Sequence, residues 1–422
     1  MAKVVIIGGG WSGCAAALTA RKAGAEVELL ERTDMLLGSG LVGGIFRNNG
    51  RFTAAEEMIA LGGGELFNIM DALARHVNIE FPGQKHSSLY DAARIEPEVH
   101  RLLKKIGVQI KLQKRIIEIE KEKNTIISVS SDEGETYSGD VFIDCTGTAA
   151  NTGNCVKYGN GCAMCVYRCP TFKTRVSISE KAGAKDKIAM RSDGTPGVFS
   201  GSCKIMKHTL SSNIVKELDE KGVSVIPVPE NLVDESKLSK KACVQYALPE
   251  YAQNIVLLDT GFAKLMTPFF PLELLRQIPG FENARYEDPY SGGIGNSIRY
   301  MAIAPRDNAL RVSDITNLYC AGEKSGSFVG HTEVIVTGSL AGYNSIKQCK
   351  GDEVLILPNK LAVGDIISYS NAQMKTEEGL KQRYTFAGGL YFERMKKLGL
   401  YTININEIKE RVEKLGLKNI FA

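Results

Sequence analysis

Apolar runs alternate with glycine-rich or polar breaks along this chain, and their spacing predicts its elements. Lys3-Val-Val-Ile-Ile7 is a short β-branched run of the kind buried on both faces of a parallel sheet. A glycine cluster follows, then the small-residue stretch Cys14–Ala20, which suits a helix packed close to a sheet. Glu26-Val-Glu-Leu-Leu30 supplies a second strand. Further strands are expected at 111–120, 137–144, 255–259 and 317–320, and a long helix from Gly330 through Gly342. Turn signals at Ser192-Asp-Gly-Thr-Pro196 and Ile226-Pro-Val-Pro229 interrupt the middle of the chain, and amphipathic helices such as 405–415 close it. The order predicts an α/β chain with a Rossmann-type, glutathione-reductase-like domain split into residues 1–150 and 300–350. A mixed α/β substrate domain is inserted at 151–299, and a helical segment occupies 351–422.

Composition narrows the class. Of 422 residues 44% are hydrophobic and 24% charged, which excludes disorder, and no apolar run approaches the roughly 18 residues a membrane span requires. Val4–Ile7 runs straight into glycines, so no secretory signal is expected, a cytoplasmic location is, and the ten cysteines read as thiols or ligands, not a disulfide framework. Net charge is only +4, yet residues 151–215 hold ten Lys/Arg against Glu180, Asp186 and Asp193. That basic stretch suits anionic substrates, an acidic carrier protein or RNA phosphates.

The chemistry begins at Gly8-Gly9-Gly10-Trp11-Ser12-Gly13, which fits G-x-G-x-x-G. Gly8 makes the tight turn, Gly10 admits a pyrophosphate to the backbone, Gly13 permits close helix–strand packing, and Glu31 accepts from a ribose hydroxyl. Two later segments favour FAD over NAD. Cys145-Thr146-Gly147 is a strand-end Thr-Gly turn, and Asn317–Glu323, ending Ala-Gly322-Glu323, suits the ribityl chain. The helix after it aims backbone N–H groups at the flavin. Ser12, Arg32, Gly43, Gly44, Ile116 and Thr332 complete the expected cofactor contacts. No second glycine fingerprint follows a strand, so no separate nicotinamide domain is expected. His331 is the candidate proton donor beside the flavin, with Glu333 next to it, and Lys324 an alternative stabiliser of anionic flavin. Arg299, Tyr300 and Arg306 are candidates for holding an anionic substrate.

Several of these segments together resemble the FAD proteins typified by the glucose-inhibited division protein, which modifies tRNA wobble uridines, and the folate- and FAD-dependent tRNA uridine methyltransferases. The shared segments are Gly43-Gly44 through Leu61-Gly-Gly-Gly64, Leu275–Ala284 and Ala321-Gly-Glu through Leu340-Ala-Gly-Tyr-Asn344, with Leu357–Ile367 closer to the methyltransferases. The resemblance implies an FAD scaffold and a tRNA-uridine chemistry. Two departures redirect the functional expectation. Residues 32–64 contain no cysteine to match the methyltransferase nucleophile, and about 80 residues follow Gly342, little room for the long helical region of the wobble-modifying branch.

A third departure is Cys155, Cys162, Cys165 and Cys169, the last three as C-x₂-C-x₃-C-P. Four readings compete: an iron–sulfur cluster, a Cys162/Cys165 dithiol reduced by flavin, a structural zinc, or unligated thiols. Cys14, Cys203, Cys243, Cys320 and Cys349 read as structural. The expected function is an FAD-dependent oxidoreductase coupling flavin to the cysteine segment or to a small anionic substrate. Its partner is an electron donor or acceptor, NAD(P)H or an acidic carrier. A homo-oligomer is expected. RNA uridine methylation and a non-catalytic electron-transfer or assembly subunit are the alternatives.

Overall fold

The computed structural model describes residues 1–147, 171–196, 198–199, 203–241, 243–267, 270–287, 298–299 and 301–422. Cys155, Cys162, Cys165, Cys169 and Tyr300 lie outside them. The central sheet has five parallel strands in the order Leu318–Cys320, Val141–Asp144, Lys3–Ile7, Glu26–Leu30, Gln109–Lys111. Val4, Val5 and Ile6 are fully buried, as a central strand between covered faces requires. The helix Trp11–Lys22 returns from the first strand and crosses the long helix His331–Cys349. Their approach is close because glycine lies at the crossing. A methyl group on Gly338 or Gly342 would overlap the backbone carbonyls of Ser12 or Ala16.

Two expected strands divide. The stretch 111–120 is split between Gln109–Lys111, at the edge of the central sheet, and Ile116–Glu122, in a three-stranded antiparallel sheet with Thr125–Ser131 and Thr136–Ser138. The break falls at Gln113, whose φ of 59° is left-handed and whose N–H donates to Thr33 O. Residues 137–144 divide likewise at Gly139, where a side chain would press on Val5.

The inserted region carries a four-stranded antiparallel sheet, Cys203–Ile205, Ala263–Leu265, Asn254–Asp259 and Val223–Pro227. Ile226-Pro227, expected as a turn, ends the edge strand, a position where proline's missing N–H is tolerated. One face of this sheet packs Leu257 and Leu265 against Phe281. The other sets Val256, Leu258 and Met266 against Tyr246, Tyr251, Ile45 and Leu89, joining the inserted sheet to the hairpin Ala74–Phe81/Gln84–Tyr90. Buried Asp259 fastens the same junction, accepting from Arg75, His76 and Lys207. The last 70 residues are helical, and Ala362–Gln373 begins against buried Glu57, which accepts the Ala362 and Val363 N–H groups at 3.1 and 3.0 Å.

Candidate functional site

The fingerprint turn is built by mutual exclusion of side chains. Gly8 has φ +104°, and a Cβ there would overlap the Cys145 carbonyl; at Gly13 it would overlap Gly8 O. A Cβ added to Gly10, by contrast, would meet nothing within 4 Å, so there is room beside it at the N-terminus of Trp11–Lys22. That first turn carries no acidic side chain, leaving its N–H groups to an anion. Glu31, buried at the end of the second strand, accepts from Gly9 N at 2.7 Å and from Thr33 N and Oγ1 at 2.9 Å each. Its carboxylate thus braces the glycine turn from the far side. The Thr-Gly turn has its own brace. Fully buried Asp144 accepts from Thr146 N at 3.0 Å and Oγ1 at 2.6 Å with one oxygen, and from Ser179 with the other.

One continuous cleft is lined by Gly8, Gly10, Ser12, Glu31, Arg32, Gly43, Ile116, Thr146, Gly147, Glu323 and His331. Four residues expected to touch a cofactor are not part of its wall. Gly13 is taken up by helix–strand packing, a Cβ on Gly44 would meet the Thr260 side chain, and one on Gly322 would meet Ser12 Oγ at 2.5 Å. Thr332 is fully buried, its hydroxyl unpartnered among the described residues. These four shape the cleft from behind.

Two further expectations are corrected. Lys324 is fully buried in an ion pair with Asp186, away from the cleft, so it faces no flavin. Arg306 is buried too, donating to the carbonyls of Ser325, Asp307 and Ile367 and to Ser370 Oγ; it holds backbone together and faces no substrate. The side chain of Arg299 lies outside the description.

His331 does line the cleft, but not as an acid. Burial, with Arg51 and Lys264 adding to it, pushes its pKa down to about 3, so the ring is neutral near pH 7. Its Nδ1 lies 3.0 Å from the Tyr90 hydroxyl. Burial pushes the Tyr90 phenol above its ordinary range, so the phenol keeps its proton, and the direction of this hydrogen bond is set by the His331 tautomer. With its hydrogen on Nε2 the neutral ring would present a donor on the cleft wall. Gly43 makes room for it, since a side chain there would overlap His331 Cε1. Glu333 faces inward, fully paired: it accepts from Arg51 Nε at 3.0 Å, Thr385 Oγ1 at 2.7 Å and Phe386 N at 2.9 Å.

Beyond the glycine turns the cleft runs under the inserted sheet, where Cys243, Gln245, Tyr246, Lys264 and Met266 form its wall, with Trp11 and Arg51 opposite. Sequence reasoning missed most of these. Trp11 occupies a wildcard of the fingerprint, Cys243 was read as structural, and Lys264 stands in an apolar strand where a lone charged residue was the only available signal. Cys14 and Cys320 are buried thiols whose pKa burial raises, as inert structural cysteines require. Among the described residues no three His, Cys, Asp or Glu side chains cluster as metal ligands, and no helix is long and apolar enough to cross a membrane.

Comparison with known proteins agrees with this architecture. The family model "Glucose inhibited division protein A" matches residues 3–255 and 249–353. The chain is 24% identical over 488 aligned positions to the tRNA uridine 5-carboxymethylaminomethyl modification enzyme MnmG of Alkaliphilus oremlandii, covering 99% of this chain and 76% of that protein. It is also 24% identical to the MnmG of Desulfotalea psychrophila, covering 85% of this chain but only 62% of the relative's length. Aquifex aeolicus GidA in its form II crystal superposes with a TM-score of 0.63 at 15% identity, over 98% of this chain and 76% of GidA, a likeness of fold. With an FAD-type Rossmann sheet, an inserted antiparallel sheet above its cleft and a family match across most of its length, the chain belongs to the glucose-inhibited division protein A family.

Proposed function

We propose that this chain is an FAD-dependent enzyme whose two-electron chemistry takes place where the fingerprint cleft passes under the inserted sheet. The observation that carries the reading is the continuity of that cleft, from the space beside Gly10 past Thr146 and Glu323 to His331 and Lys264. The residues fit FAD. The N-terminus of Trp11–Lys22 would take the pyrophosphate, Glu31 the ribose, Arg32 and Ile116 the adenosine side, and Thr146, Gly147 and Glu323 the ribityl chain. The start of His331–Cys349 would face the flavin ring. FAD supplies hydride and electron transfer when bound. The chain's own part is to orient the ring, offer the His331 Nε2–H as a neutral donor, and exclude water with Trp11, Tyr246 and Met266. Purification and reconstitution with FAD test this: one flavin per chain is expected, and a native chain that binds none sinks the proposal.

The named relatives favour uridine in tRNA as the substrate, over a small anion. Because the chain spans from 62 to 76% of those relatives' lengths, the activity of the whole relative is carried over as a proposal only. It predicts tRNA binding that weakens steeply with salt and a changed uridine in the digested product. Coupling of flavin to Cys155, Cys162, Cys165 and Cys169 is supported by chain adjacency alone: Gly147, at the end of the described segment before them, lines the cleft. Anaerobic purification with iron, sulfide and zinc quantified, together with Cys162→Ser and Cys165→Ser, tests it; full turnover in both variants would assign the cysteines a structural role. The electron partner we propose is a nicotinamide or an acidic carrier, in a cytoplasmic homo-oligomer, with residues 151–299 as the substrate domain.

A further inference from the structure

Two lysines at the inserted sheet are buried without a carboxylate. Lys264, 4% exposed on the strand Ala263–Leu265, donates to the carbonyls of Val42 and of Gly43, the latter at 2.6 Å, and lines the cleft. Lys241, equally buried, donates to Met266 O, and its ammonium stands 5.1 Å from the centre of the Tyr251 ring, behind the cleft wall. Among the described residues neither makes an ion pair. Their surroundings do not compensate them. Arg51 is matched by Glu333, Lys204 pairs with Glu287 at 3.7 Å, and His331 is neutral. A buried ammonium without a counter-ion is unfavourable, and hydrogen bonds to carbonyls only partly offset it. Accordingly Lys264 is pushed down to about 7 and Lys241 to about 8, in both cases chiefly by burial. Near pH 7 Lys264 is therefore only partly charged, and of the two lysines it is the one on the wall, where a negative charge in the cleft would draw it into its ammonium form.

We propose that Lys264 stabilises the negative charge that reduction places on the flavin ring. The inference rests on the reading that the cleft holds FAD. Hydride transfer from a nicotinamide donor breaks a C–H bond of the donor and forms an N–H bond on the flavin. The nicotinamide is oxidised to its pyridinium form, and one negative charge remains on the flavin ring. The Lys264 ammonium, held in the wall by two backbone carbonyls, matches that charge. It fills the role the sequence suggests for Lys324, whose charge Asp186 already neutralises.

The test uses the FAD-loaded chain and Lys264→Gln, whose amide keeps a donor for the Val42 and Gly43 carbonyls. Lys264→Met serves as a second replacement should the first not fold, and Lys241→Gln is the comparison. FAD affinity is read from quenching of flavin fluorescence, and the reduced-to-oxidised affinity ratio from the midpoint potential in a dithionite titration. Lys264→Gln is expected to hold oxidised FAD within about threefold of the native chain while the ratio falls at least tenfold, a drop of about 30 mV for a two-electron couple. Lys241→Gln is expected to change the ratio less than threefold. An unchanged ratio in the Lys264 variants, or an equal fall in Lys241→Gln, overturns the assignment. Failure of the native chain to bind FAD is a different result, and overturns the reading beneath it.

Discussion

His331 shows how a residue's surroundings reverse its apparent chemistry. Written in the chain, it is a candidate acid after an Ala-Gly-Glu turn; in the fold it is a neutral ring whose Nδ1 is hydrogen-bonded to the Tyr90 hydroxyl. The linkage has a sign. Between pH 6.5 and about 3 the unfolded chain binds a proton that the folded chain refuses, so stability falls as pH drops through that window. His331→Asn, which keeps an acceptor for Tyr90 but does not titrate, should flatten that dependence, by about 2 kcal/mol at pH 5. Urea melts at pH 5 and pH 8 measure it, and parallel losses in both proteins would refute the assigned shift. Gly43→Ala tests the same corner by crowding. The added methyl group overlaps His331 Cε1 and lies 2.7 Å from the Tyr90 hydroxyl. We expect a loss of about 1–3 kcal/mol with weakened FAD binding, since the residue that must shift lines the cleft.

At the scale of elements, Trp11–Lys22 and His331–Cys349 cross closely, and the first turn of each lines the cleft. Both clashing partners at Gly338 and Gly342 are backbone carbonyls of the fingerprint helix, which cannot swing aside as a side chain does. Gly338→Ala and Gly342→Ala should each destabilise by at least about 1–3 kcal/mol. Gly338→Ala should also weaken FAD binding, because it pushes on Ser12, which lines the cleft. Gly342→Ala acts one turn further along, and its effect should appear mainly in thermal melts. The first helix was legible from its small residues, and the second was expected over 330–342, short of its end at Cys349. The break at Gln113 was not, because it is set by a bond from Gln113 N to Thr33 O across the chain, and nothing within 111–120 announces it.

For the whole molecule, the cleft joins the two turns of the central sheet, the helix start at His331 and the inserted sheet. A ligand spanning them should stabilise the fold as a unit. FAD at a hundredfold excess over its Kd should add about 2.7 kcal/mol, read as a rise in melting temperature that saturates with occupancy. A melting temperature indifferent to FAD would count against the cleft as its site. The C-terminal segment is part of this unit. Buried Glu57 caps the helix Ala362–Gln373, and Phe421 N returns to Leu61 O. Truncation after residue 350 should leave Glu57 and the apolar side of Gly50–Ala60 uncovered, and the protein should be lost to aggregation in an expression and solubility assay.

The Rossmann-type core and its glycine turns were settled by local sequence, because strand periodicity, close approach of backbone and strained turns each demand particular residues locally. Gly8, Gly10, Glu31 and Thr146 were singled out on that ground, and the fold sets all four around one cleft. Protonation and charge were decided by the tertiary structure alone. Lys324 and Lys264 are both lysines flanked by ordinary residues, and only packing gives one an aspartate and the other two carbonyls at a cleft wall. Burial and pairing depend on residues far apart in the chain, and those partners are what separate a structural lysine from one with a charge left to give.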